Sequence, residues 1–246
     1  MDYSLLRATT PEDKMRVDEF VREHFLPDMP LIRVFGVEDL PPPRESTPPQ
    51  TETAQQKGDF CVMAQNNQGD IVGVAINRII PPCRPLASDT LEDKKDKYNF
   101  RHKQQNSFGG QVHLKKSKML EMIEFMDWVE VEARLDTLPQ KTIELRVLAV
   151  HREWRRRGVA RRLAEESVRQ AREAGHQAIR TCCTSEYTAR LARSLGWRQH
   201  YCLRYLDYPG DVQLTPHQTH EYVYYYVTEL DQEKEWEIVF IEDYYA

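Results

Sequence analysis

The residues best suited to chemistry are arginines clustered at the predicted start of a helix, namely Arg152, Arg155, Arg156, Arg157, Arg161 and Arg162. Positive charge is unfavourable at this end of a helix, because the helix dipole already places about half a positive charge there. A bound anion would resolve the conflict, since free backbone N–H groups, the dipole and guanidinium groups all favour a phosphate. The alternative is a solvated basic helix face.

The spacing within this segment favours phosphate binding. Neither GxxxxGK[ST] nor a GxGxxG that follows a strand occurs in the sequence. The segment instead reads Arg155-x-x-Gly158-x-Ala160, directly after the apolar stretch ELRVLAV and before an amphipathic helix. Gly158 lets a ligand approach the backbone because it has no Cβ, and Ala160 keeps the next contact small.

The elements that position this turn alternate between strand and helix. Apolar runs predict strands at 142–150, 178–183, 202–206 and 222–228. Apolar stripes with helical spacing predict one helix that ends at Gly175 and another at 185–194. Such alternation predicts an α/β sheet.

The first half of the chain predicts antiparallel structure. Its patterns indicate a strand at 3–8, a helix from Thr10 to about Phe25, a β-hairpin at 60–80 and a helix at 119–135. Pro27 and Pro30 are interpreted as bracketing a break in the chain. We expect a single domain over residues 1–246, with a mobile proline-rich loop at about 41–58 and a C-terminal extension at about 229–246, where VFIE could add a strand.

Composition excludes several classes of protein. The net charge of −5 over 246 residues argues against a nucleic-acid binder, and no apolar run is long enough to span a membrane. The five cysteines form no CxxC pair, which favours reduced thiols and argues against a metal site. Because no secretory signal is visible either, we expect a cytoplasmic protein.

The motif and its context resemble the GNAT acetyltransferase superfamily, whose pyrophosphate loop reads Arg/Gln-x-x-Gly-x-Gly/Ala between a strand and a helix. A further strand, a helix and LGW at 195–197 continue the resemblance. In closer detail the sequence is similar to insect-type arylalkylamine (dopamine) N-acetyltransferases, in the stretches PDMPL at 27–31, FMDWVE at 125–130, TSEYTAR at 184–190, YLDY at 205–208 and Pro216-His217.

The resemblance implies that acetyl-CoA is the cosubstrate and lies between two splayed parallel strands, 143–150 and 178–183. Backbone groups of the first strand would bind the pantetheine arm and stabilise the oxyanion, and amides of the arginine turn would bind the pyrophosphate. The implied cofactor-binding residues are Leu148, Ala149, Val150, Arg155, Arg156, Arg157, Gly158, Val159, Ala160, Arg161 and Ser185.

An amine with a pKa near 10.4 must lose a proton before it attacks a thioester, so a general base is expected. The insect-type family places a glutamate where this chain has Met29, which cannot take a proton. Asp28 and Glu144 are two possible replacements, and the histone-acetylating branch keeps its base at the position of Glu144. The alternatives are an ordinary loop acid for Asp28 and an ion pair with Arg146 for Glu144.

The family's catalytic serines correspond to Thr184 and Thr188, which retain a hydroxyl. Either Ser185 or Thr184 is expected to cap the following helix. Tyr187 is a candidate proton donor to the leaving thiolate or a packed helix residue. His217 matches a position that some relatives use near the amine.

The resulting expectation is an acetyl-CoA-dependent N-acetyltransferase, a monomer or weak dimer, acting by direct attack in a ternary complex. The expected acceptor is a small primary amine, with arylalkylamines such as dopamine, tyramine or serotonin first. Alternatives are a polyamine, an amino acid, a protein lysine or a longer acyl-CoA. Because of Met29, a CoA-binding domain with impaired catalysis also stays open.

Overall fold

The computed structural model describes residues 3–37, 58–80 and 117–230. The strands are β1 (Tyr3–Arg7), β2 (Phe60–Asn66), β3 (Ile71–Ile79), β4 (Thr142–Val150), β5 (Ala178–Cys183), β6 (Arg198–Arg204) and β7 (Tyr222–Glu229). The α-helices are α1 (Pro11–His24), α2 (Pro30–Phe35), α3 (Lys118–Glu132), α4 (Val159–Glu173) and α5 (Glu186–Ser194). The predicted proline-rich loop, except Gly58, and the predicted VFIE strand lie outside the described residues.

The seven strands form one mixed sheet in the order β1-β2-β3-β4-β5-β7-β6. Only β4 and β5 are parallel, and the other neighbouring pairs are antiparallel. The β4–β5 ladder is short: it joins residues 142–144 to residues 178–180 and then stops. The remaining six residues of β4 therefore diverge from β5, and the predicted mixed α/β sheet with splayed parallel strands is confirmed.

Helices cover both faces of the sheet because each buries one apolar stripe. Helices α4 and α5 pack on one face through a core that includes Leu163 and Ala189. On the other face, α1 covers β2, β3 and β4 through residues such as Val17. Beside it, α2 and α3 pack over β7 around Phe125. The parallel pair lies in the middle of the sheet, with helices on either side.

Two elements differ from the sequence prediction. The predicted break between Pro27 and Pro30 is present, since α1 ends at His24 and Met29 is extended, but the helix that follows it was not predicted. Pro30 occupies the first turn of this helix, α2, where the missing N–H costs nothing, and Gly36 ends it at φ 63°. The predicted strand at 202–206 is β6, which starts at Arg198 and stops before a 3₁₀ turn at Tyr205–Asp207.

Within the three described stretches, no helix has both the length and the apolar composition that crossing a membrane requires.

Candidate active site

The candidate site begins where β4 and β5 separate. The last residues that pair are Glu144 and Arg180. One residue further along, the Thr181 hydroxyl donates a hydrogen bond of 2.9 Å to the Leu145 carbonyl, so a side chain replaces the ladder bond there. On its other edge β4 stays paired with β3 up to Val150. Among the described residues, no strand pairs with the β5-facing edge of β4 beyond Leu145, and an extended ligand fits that edge.

A small apolar opening lies beside the divergence, between β4, β5 and the helices α4 and α5. Leu148 and Thr181 line it from the strands, and Thr188 and Trp197 are among the residues that line it from the α5 side. The Leu148 side chain lines the opening, whereas the side chains of Ala149 and Val150 are buried. The predicted role of their backbone groups in binding the pantetheine arm stays a prediction. Thr188 is the predicted hydroxyl residue that the structure places at this opening.

The arginine turn follows β4 directly and has the backbone geometry of an anion site. Arg156 and Gly158 both have positive φ, 61° and 79°. Gly158 caps α4 without a side-chain hydrogen bond. Within the described stretches, the N–H groups of Arg156, Gly158, Val159 and Ala160 have no acceptor. Unpaired amides at a helix N-terminus form a concave cradle that favours phosphate.

The backbone conformation favours glycine at position 158. Its φ of 79° is in the left-handed region. A Cβ built at this position would meet no atom within 4 Å, so packing within the protein does not exclude a side chain. The space beside Gly158 is therefore open.

Two arginine side chains of this segment make contacts within the protein. Arg161 donates to the Ser194 hydroxyl at 2.8 Å, which connects α4 to the end of α5, and it also pairs with Glu165 of its own helix. The Arg157 guanidinium lies 5.4 Å from the centre of the Trp154 ring. These two guanidinium groups are therefore engaged by the protein's own groups.

Arg155 connects the turn to the segment between α1 and α2. Its Nη2 lies 2.6 Å from Oδ2 of Asp28, and its Nε donates to the Val150 carbonyl at 3.1 Å. The hydrogen bond from Arg155 lowers the pKa of Asp28 from its ordinary value. A base needs a pKa closer to the working pH, so the structure gives Asp28 the role of an anchor for Arg155.

Glu144 lies at the apex of the divergence, and its side chain is only 8% exposed. Oε2 accepts hydrogen bonds of 2.9 and 3.3 Å from Arg180, and Oε1 lies 3.5 Å from Arg146. The predicted pair with Arg146 is therefore present, and the shorter pair with Arg180 was missed by sequence reasoning. The β3–β4 register is irregular at Arg146, and such bulges re-aim side chains beside active sites.

The loop after β5 presents the remaining predicted residues. Ser185 is the helix cap, because its Oγ accepts the Tyr187 N–H at 3.2 Å. Tyr187 is 65% exposed and contacts the His220 ring edge-on, so it lies outside the core, and both of its predicted roles stay predictions. His220 was also missed: its Nδ1 accepts the Glu186 N–H at 3.2 Å, at the same helix end. The Thr184 carbonyl accepts the Tyr205 hydroxyl at 3.4 Å.

Solved structures share this fold. Arylalkylamine N-acetyltransferase 2 from Aedes aegypti is 21% identical, with 94% of this chain and 100% of that chain covered and a TM-score of 0.66. A Drosophila melanogaster polyamine N-acetyltransferase that forms N-acetylagmatine is 21% identical, with 92% and 100% covered and a TM-score of 0.62. A mosquito arylalkylamine N-acetyltransferase like 5b is 17% identical, with 92% and 100% covered and a TM-score of 0.66.

The family model for "Acetyltransferase (GNAT) family" matches residues 19–197, which is more than half of the chain. The chain therefore belongs to the GNAT acetyltransferase family, and the resemblance inferred from the sequence is confirmed. Enzymes of this family use acetyl-CoA as cosubstrate. In the described parts of the chain, no cluster of three or more His, Cys, Asp or Glu residues could hold a metal ion.

Proposed function

We propose that this chain transfers the acetyl group of acetyl-CoA to the nitrogen of a small primary amine by direct attack in a ternary complex. One observation carries the proposal: the β5-facing edge of β4, unpaired beyond Leu145 among the described residues, leads into the cradle formed by the unpaired amides of Arg156, Gly158, Val159 and Ala160. An extended pantetheine arm that ends in a diphosphate matches this arrangement. The divergence of β4 from β5 then lies where the thioester would be.

The chemistry follows from groups along this path. The neutral amine nitrogen attacks the thioester carbonyl carbon, and a backbone N–H near Leu148 is placed to stabilise the oxyanion. The C–S bond then breaks, and its electron pair stays on the CoA thiolate. Tyr187, which is largely exposed at the start of α5, is our candidate donor of the proton that the thiolate takes up. Thr188 supplies a second hydroxyl at the opening.

The acceptor is proposed to be an arylalkylamine such as dopamine, tyramine or serotonin. Support comes from the structural neighbours described as arylalkylamine N-acetyltransferases and from the matching stretches of sequence. A polyamine or agmatine is the second candidate, favoured by the neighbour that forms N-acetylagmatine. Both candidates are primary amines or guanidino amines that carry positive charge, so the same site has to remove a proton from either.

A panel assay separates these possibilities. CoA release is measured with acetyl-CoA and with a longer acyl-CoA against arylalkylamines, agmatine and polyamines. We expect saturable turnover, with acetyl-CoA preferred and an arylalkylamine giving the highest kcat/KM. Preference for agmatine would replace the proposed acceptor, and CoA binding without any turnover would favour a non-catalytic CoA-binding domain.

A variant tests the site itself. Gly158→Arg fills the cradle with a long side chain while the surrounding protein leaves space for it. We expect isothermal titration calorimetry to show no CoA binding and circular dichroism to show an intact fold. Unchanged CoA affinity in this variant would refute the phosphate-binding turn.

A further inference from the structure

The residue that receives the amine's proton is unaccounted for, because Met29 occupies the position at which the insect-type family keeps its glutamate. In this structure Met29 is partly buried and packs against a core cluster that includes Phe125 and Val129 of α3. The next residue of that helix is Glu130. Helix α3 therefore carries a carboxylate directly after a residue of this cluster.

Glu130 lies above the apex of the divergence between β4 and β5. Its Oε1 is 3.8 Å from Nη2 of Arg180, the guanidinium that also pairs with Glu144. Arg180 and Glu144 are the last two residues of the β4–β5 ladder, so the Glu130 carboxylate stands at the point where the strands part.

Of Asp28, Glu130 and Glu144, Glu130 has the most exposed side chain and the most distant cationic partner. Its side chain is 44% exposed, against 38% for Asp28 and 8% for Glu144. Glu144 accepts two hydrogen bonds from Arg180 and also faces Arg146. Asp28 is held by Arg155 at 2.6 Å. The nearest cation to Glu130 is at 3.8 Å, which is longer than a hydrogen bond and leaves its oxygens available to a new donor.

The surroundings of Glu130 suit a proton acceptor. Burial raises the pKa of Glu130 from its ordinary value, against the opposing effect of Arg180. The groups that face it come from four elements and comprise Asp127 of α3, Glu144 and Arg146 of β4, Arg180 and Cys182 of β5, and Tyr225 of β7. Burial also raises the pKa of the Cys182 thiol to about 12, so this thiol stays neutral and does not compete for the proton.

We infer that Glu130 is the general base that deprotonates the acceptor amine, in place of the carboxylate missing at Met29. This inference rests on the proposed function. The R–NH₃⁺ group transfers one proton to the Glu130 carboxylate, and the neutral nitrogen forms the C–N bond. The C–S bond breaks, Tyr187 gives its proton to the CoA thiolate and takes up the second nitrogen proton, and Glu130 returns its proton to water.

The test compares Glu130→Gln with the wild type over about pH 6 to 10, with a good acceptor from the panel. General-base catalysis contributes about 10²- to 10⁴-fold, so we expect kcat/KM of the variant to fall at least about 100-fold at neutral pH. The remaining activity should rise about tenfold per pH unit towards the pKa of the amine, because only free amine then reacts. Glu130→Asp should recover part of the rate.

Glu121→Gln is the matched control, since Glu121 lies in the first turn of the same helix and pairs with Lys118 at 2.8 Å. We expect this variant to keep the wild-type pH profile. The melting temperature and the dissociation constant for CoA should be unchanged in both glutamine variants. Loss of CoA binding or of the fold in Glu130→Gln would show a structural role and overturn the inference.

Two further results are decisive in different ways. A wild-type enzyme that acetylates amines, with a Glu130→Gln variant of the same rate and pH profile, would overturn the role of Glu130 and leave the proposed function standing. A wild-type protein that acetylates no amine of the panel would overturn the proposed function, and the inference about Glu130 with it.

Discussion

Replacing Gly158 by alanine separates the structural role of this glycine from its role at the ligand. Gly158 has φ 79°, a left-handed conformation that costs an L-residue about 1–2 kcal/mol. The added Cβ meets no protein atom within 4 Å, so we expect no further loss of stability. For a domain of this size, the cost corresponds to a fall in melting temperature of roughly 2–8 °C.

The effect of Gly158→Ala on CoA binding should be larger than its effect on the fold. The methyl group projects into the space above the unpaired amides and moves the diphosphate away from at least one of them. A hydrogen bond to a charged group contributes about 1.5–3 kcal/mol. This loss corresponds to a dissociation constant about 10- to 150-fold higher, which isothermal titration calorimetry with CoA measures directly.

Gly196→Ala is the matched control for this variant. Gly196 has φ 76° and also has no atom within 4 Å of a built Cβ, but it follows α5 and does not belong to the arginine turn. We expect the same fall in melting temperature and an unchanged CoA affinity. If Gly158→Ala bound CoA as tightly as Gly196→Ala, the assignment of the turn to the diphosphate would be refuted.

Two further predictions concern the ion pairs of the site. Arg180→Gln leaves the buried Glu144 carboxylate with Arg146 alone, and breaking a buried ion pair lowers the free energy of unfolding by about 3–5 kcal/mol. Because Glu144→Gln then removes the uncompensated charge, urea unfolding of the double variant should show at least about 1 kcal/mol of this free energy restored. Asp28→Asn removes a carboxylate whose pKa is lowered by Arg155, so its stabilising effect is present at neutral pH and lost as pH falls through that lowered pKa. The melting temperatures of this variant and the wild type should differ at neutral pH and converge as pH falls below about 4. Because Asp28 is not proposed as the general base, the acidic limb of the pH–rate profile should be the same in both proteins.

The sequence predicted the elements whose signals are local. Strands β4 and β5 were predicted at their observed bounds, because both are continuous apolar runs with clear turn signals on either side. The arginine turn was recognised because its motif lies within six consecutive residues between a strand and a helix. The short helix α2 was missed, since six residues between prolines and a glycine carry too little periodicity to distinguish a helix from a break.

The pairings at the site depend on tertiary structure and were not predictable in the same way. Arg146 is two residues from Glu144 on one strand, so that pair could be proposed from the sequence. Arg180 is 36 residues from Glu144 and reaches it through the β4–β5 register. Glu130 lies on α3, and no local sequence pattern specifies that this helix packs close to Arg180 of β5. The available signal was the presence of a charged residue, Arg180, within the otherwise uncharged strand β5.

A crystal structure of the protein with CoA tests the central claim most directly. We predict diphosphate oxygens at about 2.7–3.2 Å from the N–H groups of residues 156–160, and a pantetheine arm that pairs with the free edge of β4 between Leu148 and Val150. A diphosphate bound elsewhere, with these amides facing only solvent or the protein's own oxygens, would contradict the account.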